Sequence, residues 1–386
     1  MRQLSLDSRG VASAELITRA EDLGAYTDAW DVLAIAAQRP LGSPKWLMPW
    51  LRHAAPEGAQ VRTVVLKEQD ELVGIAPFIV QHGSMGRVDA RLFGVPFTER
   101  REPFAKPGHE QELAEHTARL LAAEKTTILA LEGIDVTSPW PDWLAGSYPG
   151  AMRPVIARRA VLDTPTLSLD GMTYDDWMQS KSGNFRSQMR RMRRQLTEEG
   201  GQVRMTTAGD DIERDVDAFM RLHLGRWEGK GGSGLAEIAM QGMLVDAANE
   251  LLPEERFRLY LVELNGKPIG AGLFVAAGGE VAYFNGGFDE EYGKYKPTLQ
   301  TILSVVEDAF ARGEKRLDFG GGPQPYKLRF ADGEAPLTWV NLRPRNARYP
   351  LTRAQLLRDD LRWYGLNAFR KLPEERREKL KKLLRR

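Results

Sequence analysis

Apolar and polar positions alternate most legibly between Val281 and Phe330. Val281 to Phe284 is an apolar run followed by a Gly-rich polar loop. Leu299, Ile302, Leu303, Val306 and Phe310 then recur at the spacing of one helix face, and Arg316 to Phe319 reads as a second short strand. The pattern predicts strand, helix, strand, with Pro297 in the first helical turn and Gly313 at the stop. A crossover of this kind joins parallel neighbours in right-handed fashion, which puts the helix N-terminus at the carboxyl end of the first strand. Free backbone N–H groups there, with Lys294 and Lys296 just upstream, make a site for anionic phosphate.

The same reading applies along the rest of the chain. Tyr26 to Ala37 and Ser43 to Leu51 predict helices, the second capped by Ser43 with Pro44 in its first turn. Trp46 and Trp50 share a face of it and are expected in the core. Val61 to Val80 is a pair of strand-like runs around a polar turn, and Phe257 to Ala276 repeats it. Laid together, Gly74 falls opposite Gly270, Val65 opposite Leu261 and Phe78 opposite Phe274. Equal spacing through the whole hairpin predicts a duplicated half.

Gln111 to Ala123 reads as a helix and TTILALEG as a strand, which completes the first half. It has no counterpart of the Lys-Tyr-Pro turn; LFGVPFTERREPF is the nearest polar stretch. The first half is therefore expected to be a degenerate copy that shapes a substrate cleft. The second begins at Thr164 with the strand and turn TPTLSLDG, a capping box at Thr173 and Asp176, and a helix from Asn184 to Glu199. Arg186, Arg190, Arg193 and Arg194 line one face of that helix, either solvated or binding phosphate or an acidic substrate. His223, within LHLGRW, has a pKa range suited to a general base or a structural role. GKGGSG lacks the P-loop pattern and is expected to be a mobile lid. Beyond Asn346 the chain turns helical, aromatic and strongly basic.

Composition narrows the chemistry. At 386 residues and 42% hydrophobic the chain has material for two cores, and a net charge of +1 gives no whole-molecule field for nucleic acid. With no cysteine there is no Cys nucleophile, Cys-ligated zinc or disulfide, and five scattered histidines give little support to a metal centre. No segment has signal-peptide or membrane-span character, so a cytoplasmic location is expected. DFG at Asp318 to Gly320 lacks the other kinase motifs.

The runs YFNGGFDEEYGKYKPTLQ, LDFGGG and YKLRF resemble the C-terminal half of the GNAT-like acyltransferases of the BioF2-like or CelD/BcsL family, related in fold to the FemABX peptidoglycan aminoacyltransferases. Gly287, Phe288 and Asp289 match its G-x-D turn; Lys294, Tyr295 and Pro297 its K-Y-x-P-G helix start; Asp318 and Phe319 its D-F strand end; Tyr326 and Lys327 its Y-K pair. Thr298 stands where that family has Gly. The resemblance implies an α/β (α+β) tandem GNAT-like fold of two mixed-sheet halves with flanking helices: residues 1–160 the degenerate half, 161–345 the acyl-CoA-binding half, 346–386 a basic tail.

It also implies a function and a site. The function is acyl-CoA-dependent N-acyl transfer to an amine of a small molecule, sugar or cell-envelope precursor. The alternatives are a FemABX-type aminoacyl-tRNA-dependent transferase and a catalytically silent accessory protein in polysaccharide assembly. Acyl-CoA would lie with its thioester on the backbone of Tyr283, Asn285, Gly286 and Gly287. Lys294, Tyr295, Lys296, Pro297 and the N–H groups of Thr298, Leu299 and Gln300 would hold its pyrophosphate. Asp318 is the first-choice base and His223 the reserve, with Tyr326 protonating the thiolate and Lys327 stabilising developing negative charge. Arg186, Arg190, Arg193, Trp227 and Asp289 are the substrate-binding candidates. No metal and no DNA are expected, tRNA enters only under the alternative, and the tail either touches an anionic membrane or packs on the domain.

Overall fold

A computed structural model describes residues 12–227, 239–322, 324–357 and 361 of the chain. The expected GKGGSG lid and most of the basic tail lie outside the described residues; residues 349–357 are helical.

The first half runs β1 (Ser13–Ile17), α1 (Thr27–Ala36), α2 (Pro44–His53), β2 (Gln60–Glu68), β3 (Glu71–His82), β4 (Val88–Leu92), β5 (Phe104–Ala105), α3 (Glu110–Ala123), β6 (Ile128–Asp135), α4 (Trp140–Ser147) and β7 (Val155–Leu162). The second runs β8 (Pro165–Ser168), α5 (Tyr174–Ser180), α6 (Gly183–Glu198), β9 (Gly201–Met205), α7 (Ile212–Trp227), α8 (Met240–Leu251), β10 (Phe257–Leu264), β11 (Lys267–Ala277), β12 (Glu280–Phe288), α9 (Pro297–Ala311), β13 (Arg316–Asp318), α10 (Pro325–Leu328), β14 (Gly333–Glu334) and β15 (Leu337–Arg343). Ser43 caps α2, its side chain accepting from the Lys45 N–H, and Thr173 with Asp176 forms the expected capping box on α5.

Two mixed sheets result, with orders β1-β2-β3-β4-β6-β15-β7 and β14-β8-β13-β12-β11-β10-β9. The duplication is visible in register. Leu66 pairs Gly74 and Val262 pairs Gly270, and each hairpin carries its β-bulge at the same place, between Leu66 and Lys67 and between Val262 and Glu263. The repeated glycines have a packing cause. A Cβ on Gly270 would sit 2.3 Å from the Pro297 side chain at the start of α9, and one on Gly74 would sit 3.2 Å from Leu113 of α3. Each glycine lets its crossover helix lie close to the sheet.

The second half lends a strand to the first. β8 stays in the second sheet, between β13 and β14, whereas β15 pairs between β6 and β7 in the first. The sheets therefore do not divide at one point along the chain: β15, within residues 161–345, completes the first sheet. One core joins the halves through Trp30, Trp46, Trp50, Phe93, α7, α8 and Phe284. A second core packs α5, α6 and α9 on the other face of the second sheet. Ile302 and Val306 of α9 are buried there, each contributing about 1.5–3 kcal/mol. Trp46 and Trp50 sit in the shared core as expected, Trp46 edge-on to Phe284 at 4.9 Å.

Candidate functional site

β12 and β13 run parallel, but their pairing covers only Glu280, Val281 and Ala282 against Arg316, Leu317 and Asp318. Beyond Ala282 β12 continues to Phe288, while the chain after Asp318 turns away through Gly320 and Gly322, both with positive φ. Among the described residues the β13-facing edge of β12 thus has no strand partner from Tyr283 onward, because the glycine turn diverts the chain after β13. This splay is the structural basis for a ligand slot.

Lys327 reaches into the fork. It starts from the short helix α10, is buried, and donates from Nζ to the carbonyls of Gly320 (3.1 Å) and Gly321 (2.9 Å). The ammonium lies 5.4 Å from the centre of the Tyr283 ring. Burial pushes its pKa down to about 8 against the opposing pull of Glu99 and Asp318. Tyr326 is half-buried beside it, and burial raises its phenol. Tyr283 is raised in the same way.

Two residues from the first half complete the fork. The Glu99 carboxylate accepts from the Gly321 N–H at 3.0 Å; burial raises its pKa first, and the neighbouring Asp318 charge adds to that. Arg100 is buried with φ 55°, a left-handed conformation that non-glycine residues rarely adopt. Its guanidinium donates to Asp318 and Asp135, which end β13 and β6, and at 2.7 Å to Thr164 Oγ1 and the Ala335 carbonyl, in the segments that lead into β8 and β15. A cavity of about 20 Å³, roomy enough for about one water, lies among Glu99, Arg100, Glu280, Tyr283, Asp318 and Gly320.

The remaining expected residues fall into separate groups. Asp318 is in the fork, but one oxygen pairs with Arg100 and the other accepts from the Gly320 N–H at 2.8 Å. His223 is buried on α7; its Nδ1–H donates to the Gly286 carbonyl at 3.2 Å, and burial lowers its pKa. Gly287 is packed against α7 rather than open: a Cβ there would lie 2.3 Å from the His223 backbone N. Asp289 caps the turn after β12, accepting from the Glu291 N–H and from Lys267. Arg186 donates to the Gln179 and Lys181 carbonyls, and Arg193 to Ser304 and Glu307 of α9, while Arg190 is exposed. Trp227 ends α7, and its side chain lies outside the described residues. Arg226 beside it stacks over Phe288 at 4.9 Å.

At the start of α9 the expected phosphate donors are thinner than the sequence suggests. Pro297 has no N–H, the Leu299 and Gln300 N–H groups bond to the Lys296 carbonyl, and Lys294 pairs with Glu199 at 3.0 Å. Tyr295 is buried and donates to the same Glu199. Lys296 is exposed, and the buried Gln300 side chain donates to the Met192 and Tyr295 carbonyls while its Oε1 has no partner among the described residues. The equivalent helix of the first half, α3, opens instead with Glu110 and Glu112, which would repel an anion.

Glu99, Arg100 and Arg226 are the site residues that sequence reasoning missed. The signal for the first two was the polar TERRE run inside an otherwise apolar half; for Arg226 it was the LHLGRW segment itself.

Residues 183–328 match the family model of an acetyltransferase (GNAT) domain. No curated protein matches the chain. Among solved structures the chain is similar to FemX, at 12% identity and a TM-score of 0.58 over 88% of this chain and 99% of that one. It is also similar to L-PGS from Bacillus licheniformis, at 10% identity and a TM-score of 0.54 over 88% of this chain and 96% of that one. The C-terminal domain of a putative lysylphosphatidylglycerol synthetase from Agrobacterium fabrum gives 10% identity and a TM-score of 0.53 over 86% and 96%. Residues 183–328 thus match an acetyltransferase (GNAT) domain, and the two mixed sheets share their fold with FemX and L-PGS.

Proposed function

We propose that the chain transfers an acyl group from a coenzyme A thioester to an amine in the fork between β12 and β13. The observation that carries this reading is the buried Lys327 ammonium, aimed into the fork with a pKa pushed down to about 8. Acyl transfer develops negative charge first on the carbonyl oxygen and then on the leaving sulfur, and a dry, fixed cation is the group that stabilises both. Glu99 suits proton removal from the attacking amine, because burial raises its pKa above the usual carboxylate range and makes it a stronger base. In this reading the base role moves from Asp318, whose oxygens are both engaged, to Glu99. Asp318 and Arg100 then fix the glycine turn, and Tyr326 is the proton donor to the thiolate. His223 holds α7 to β12 through Gly286.

The exposed Lys296, with the β12 edge and Gln300 Oε1 that have no partner among the described residues, favours a donor that lies along β12 toward the start of α9. Placement in the BioF2-like or CelD/BcsL family rests on the four motifs of the C-terminal half. A second reading, an aminoacyl-tRNA-dependent transferase of the FemABX type, is favoured by the sparse donors at α9 and by the exposed Arg190, Arg191 and Arg194 on α6. A binding comparison tests the choice. Acetyl-CoA or a longer acyl-CoA should raise the melting temperature and release thiol when an amine is added. Stabilisation by aminoacylated tRNA alone, with no response to any acyl-CoA, would replace the first reading by the second.

A further inference from the structure

A larger cavity, of about 570 Å³, opens between the two sheets. That volume is typical of small-molecule sites. It shares Arg39 and Glu280 with the small cavity beside Glu99 and Tyr283, so the two spaces have a common wall. The sides of β12 separate it from the donor path. Val281 and Tyr283 face α9, whereas Ala282 and Phe284 face the core shared with the first half, which is the side of the groove. A donor along the α9 side leaves the groove open, and the two approaches meet at Tyr283.

Its charges are unevenly satisfied. Arg39 pairs with Asp135 at 2.6 Å and Arg316 with Glu280 at 2.7 Å, so these walls neutralise themselves. Exposed Asp170 and Glu334 at the rim make no ion pair among the described residues, against one such cation, Lys315. A cleft with an unpaired acidic excess concentrates cations.

We infer that this groove is the acceptor entrance and that the acceptor is an amine bearing a second positive charge, such as a diamine or polyamine. The inference rests on the reading of Lys327 and Glu99 as the reacting centre. One amino group reaches the fork past Arg39 and Glu280 while the distal cation stays at the rim beside Asp170 and Glu334.

The test uses the full chain, the double variant Asp170→Lys with Glu334→Lys, and two probes: spermidine and n-butylamine, which lacks the distal charge. With acetyl-CoA at low salt, the KM for spermidine should rise about tenfold in the variant. The KM for butylamine should stay within about twofold, with kcat and amine-independent thioester hydrolysis unchanged, since neither side chain belongs to the reacting centre. An unchanged spermidine KM, or an equal change for both amines, would overturn the inference. Calorimetric binding of spermidine without donor separates this from the chemistry. Binding by the wild type that the variant loses supports the groove even if acetyl-CoA is not turned over, in which case the proposed reaction fails alone. Absence of spermidine binding to the wild type overturns the groove whatever the fate of the thioester.

Discussion

Lys327→Met keeps the length of the side chain and removes its charge, which isolates what the ammonium contributes. A pKa lowered from 10.5 to about 8 means that the folded environment disfavours the cation by about 3 kcal/mol. Below pH 8 both folded and unfolded chains hold the proton and that cost is present in full. Between about 8 and 10.5 the folded chain has released the proton while the unfolded chain keeps it, so stability rises with pH across this window. The methionine variant should lose this rise. It also leaves the Gly320 and Gly321 carbonyls without their donor, which costs about 1–3 kcal/mol and offsets part of the relief. Catalysis responds differently. Removing one fixed donor aimed at a developing oxyanion lowers kcat by about 10²–10³-fold, with KM changed little, because the charge acts on the transition state. The wild-type rate should fall above about pH 8 as the ammonium is lost. The assay is thiol release from acetyl-CoA read with a thiol reagent, to which a chain without cysteine contributes no background. A methionine variant that keeps its kcat together with the falling limb near pH 8 would remove Lys327 from the mechanism.

Two further outcomes follow from the geometry. Lys296→Ala should weaken acyl-CoA binding by about 1.5–3 kcal/mol, whereas Lys294→Ala, whose side chain is already paired with Glu199, should cost less; calorimetry giving the reverse order would move the pyrophosphate away from Lys296. Arg100→Met should destabilise the fold by about 3–5 kcal/mol in denaturant unfolding, since it leaves Asp318 and Asp135 facing one another without their shared cation, and a loss below 1 kcal/mol would mean the network is slack.

The sequence predicted α9 and β13 almost to the residue because a crossover helix buried on one face writes its period into the chain, but it ended β12 at Phe284: the glycines read as a loop continue the strand to Phe288 because they pair with β11. The two hairpins were equally legible, down to the glycines beneath the helices. Glu99 and Arg100 were not, because they act across the interface between halves: a loop carries no period, and nothing local marks which distant strand end it will meet. The same reason hid the position of β15. Its partners, β6 and β7, lie some two hundred residues earlier, and the two-residue β14 gives no hint of a crossing. Asp318 stood out as a carboxylate at a strand end, yet only the fold reveals that Arg100 occupies it.

The crossing strand also sets the order in which this protein can be made. Among the described residues Val155–Leu162 pairs with β15 alone, and β6 has no partner on that side until Leu337–Arg343 arrives. During synthesis the N-terminal sheet therefore waits with an unpaired edge until a strand some two hundred residues further on has left the ribosome. The second sheet draws its described strands from Pro165 to Glu334, all made before β15, so the half translated first is the half that finishes last.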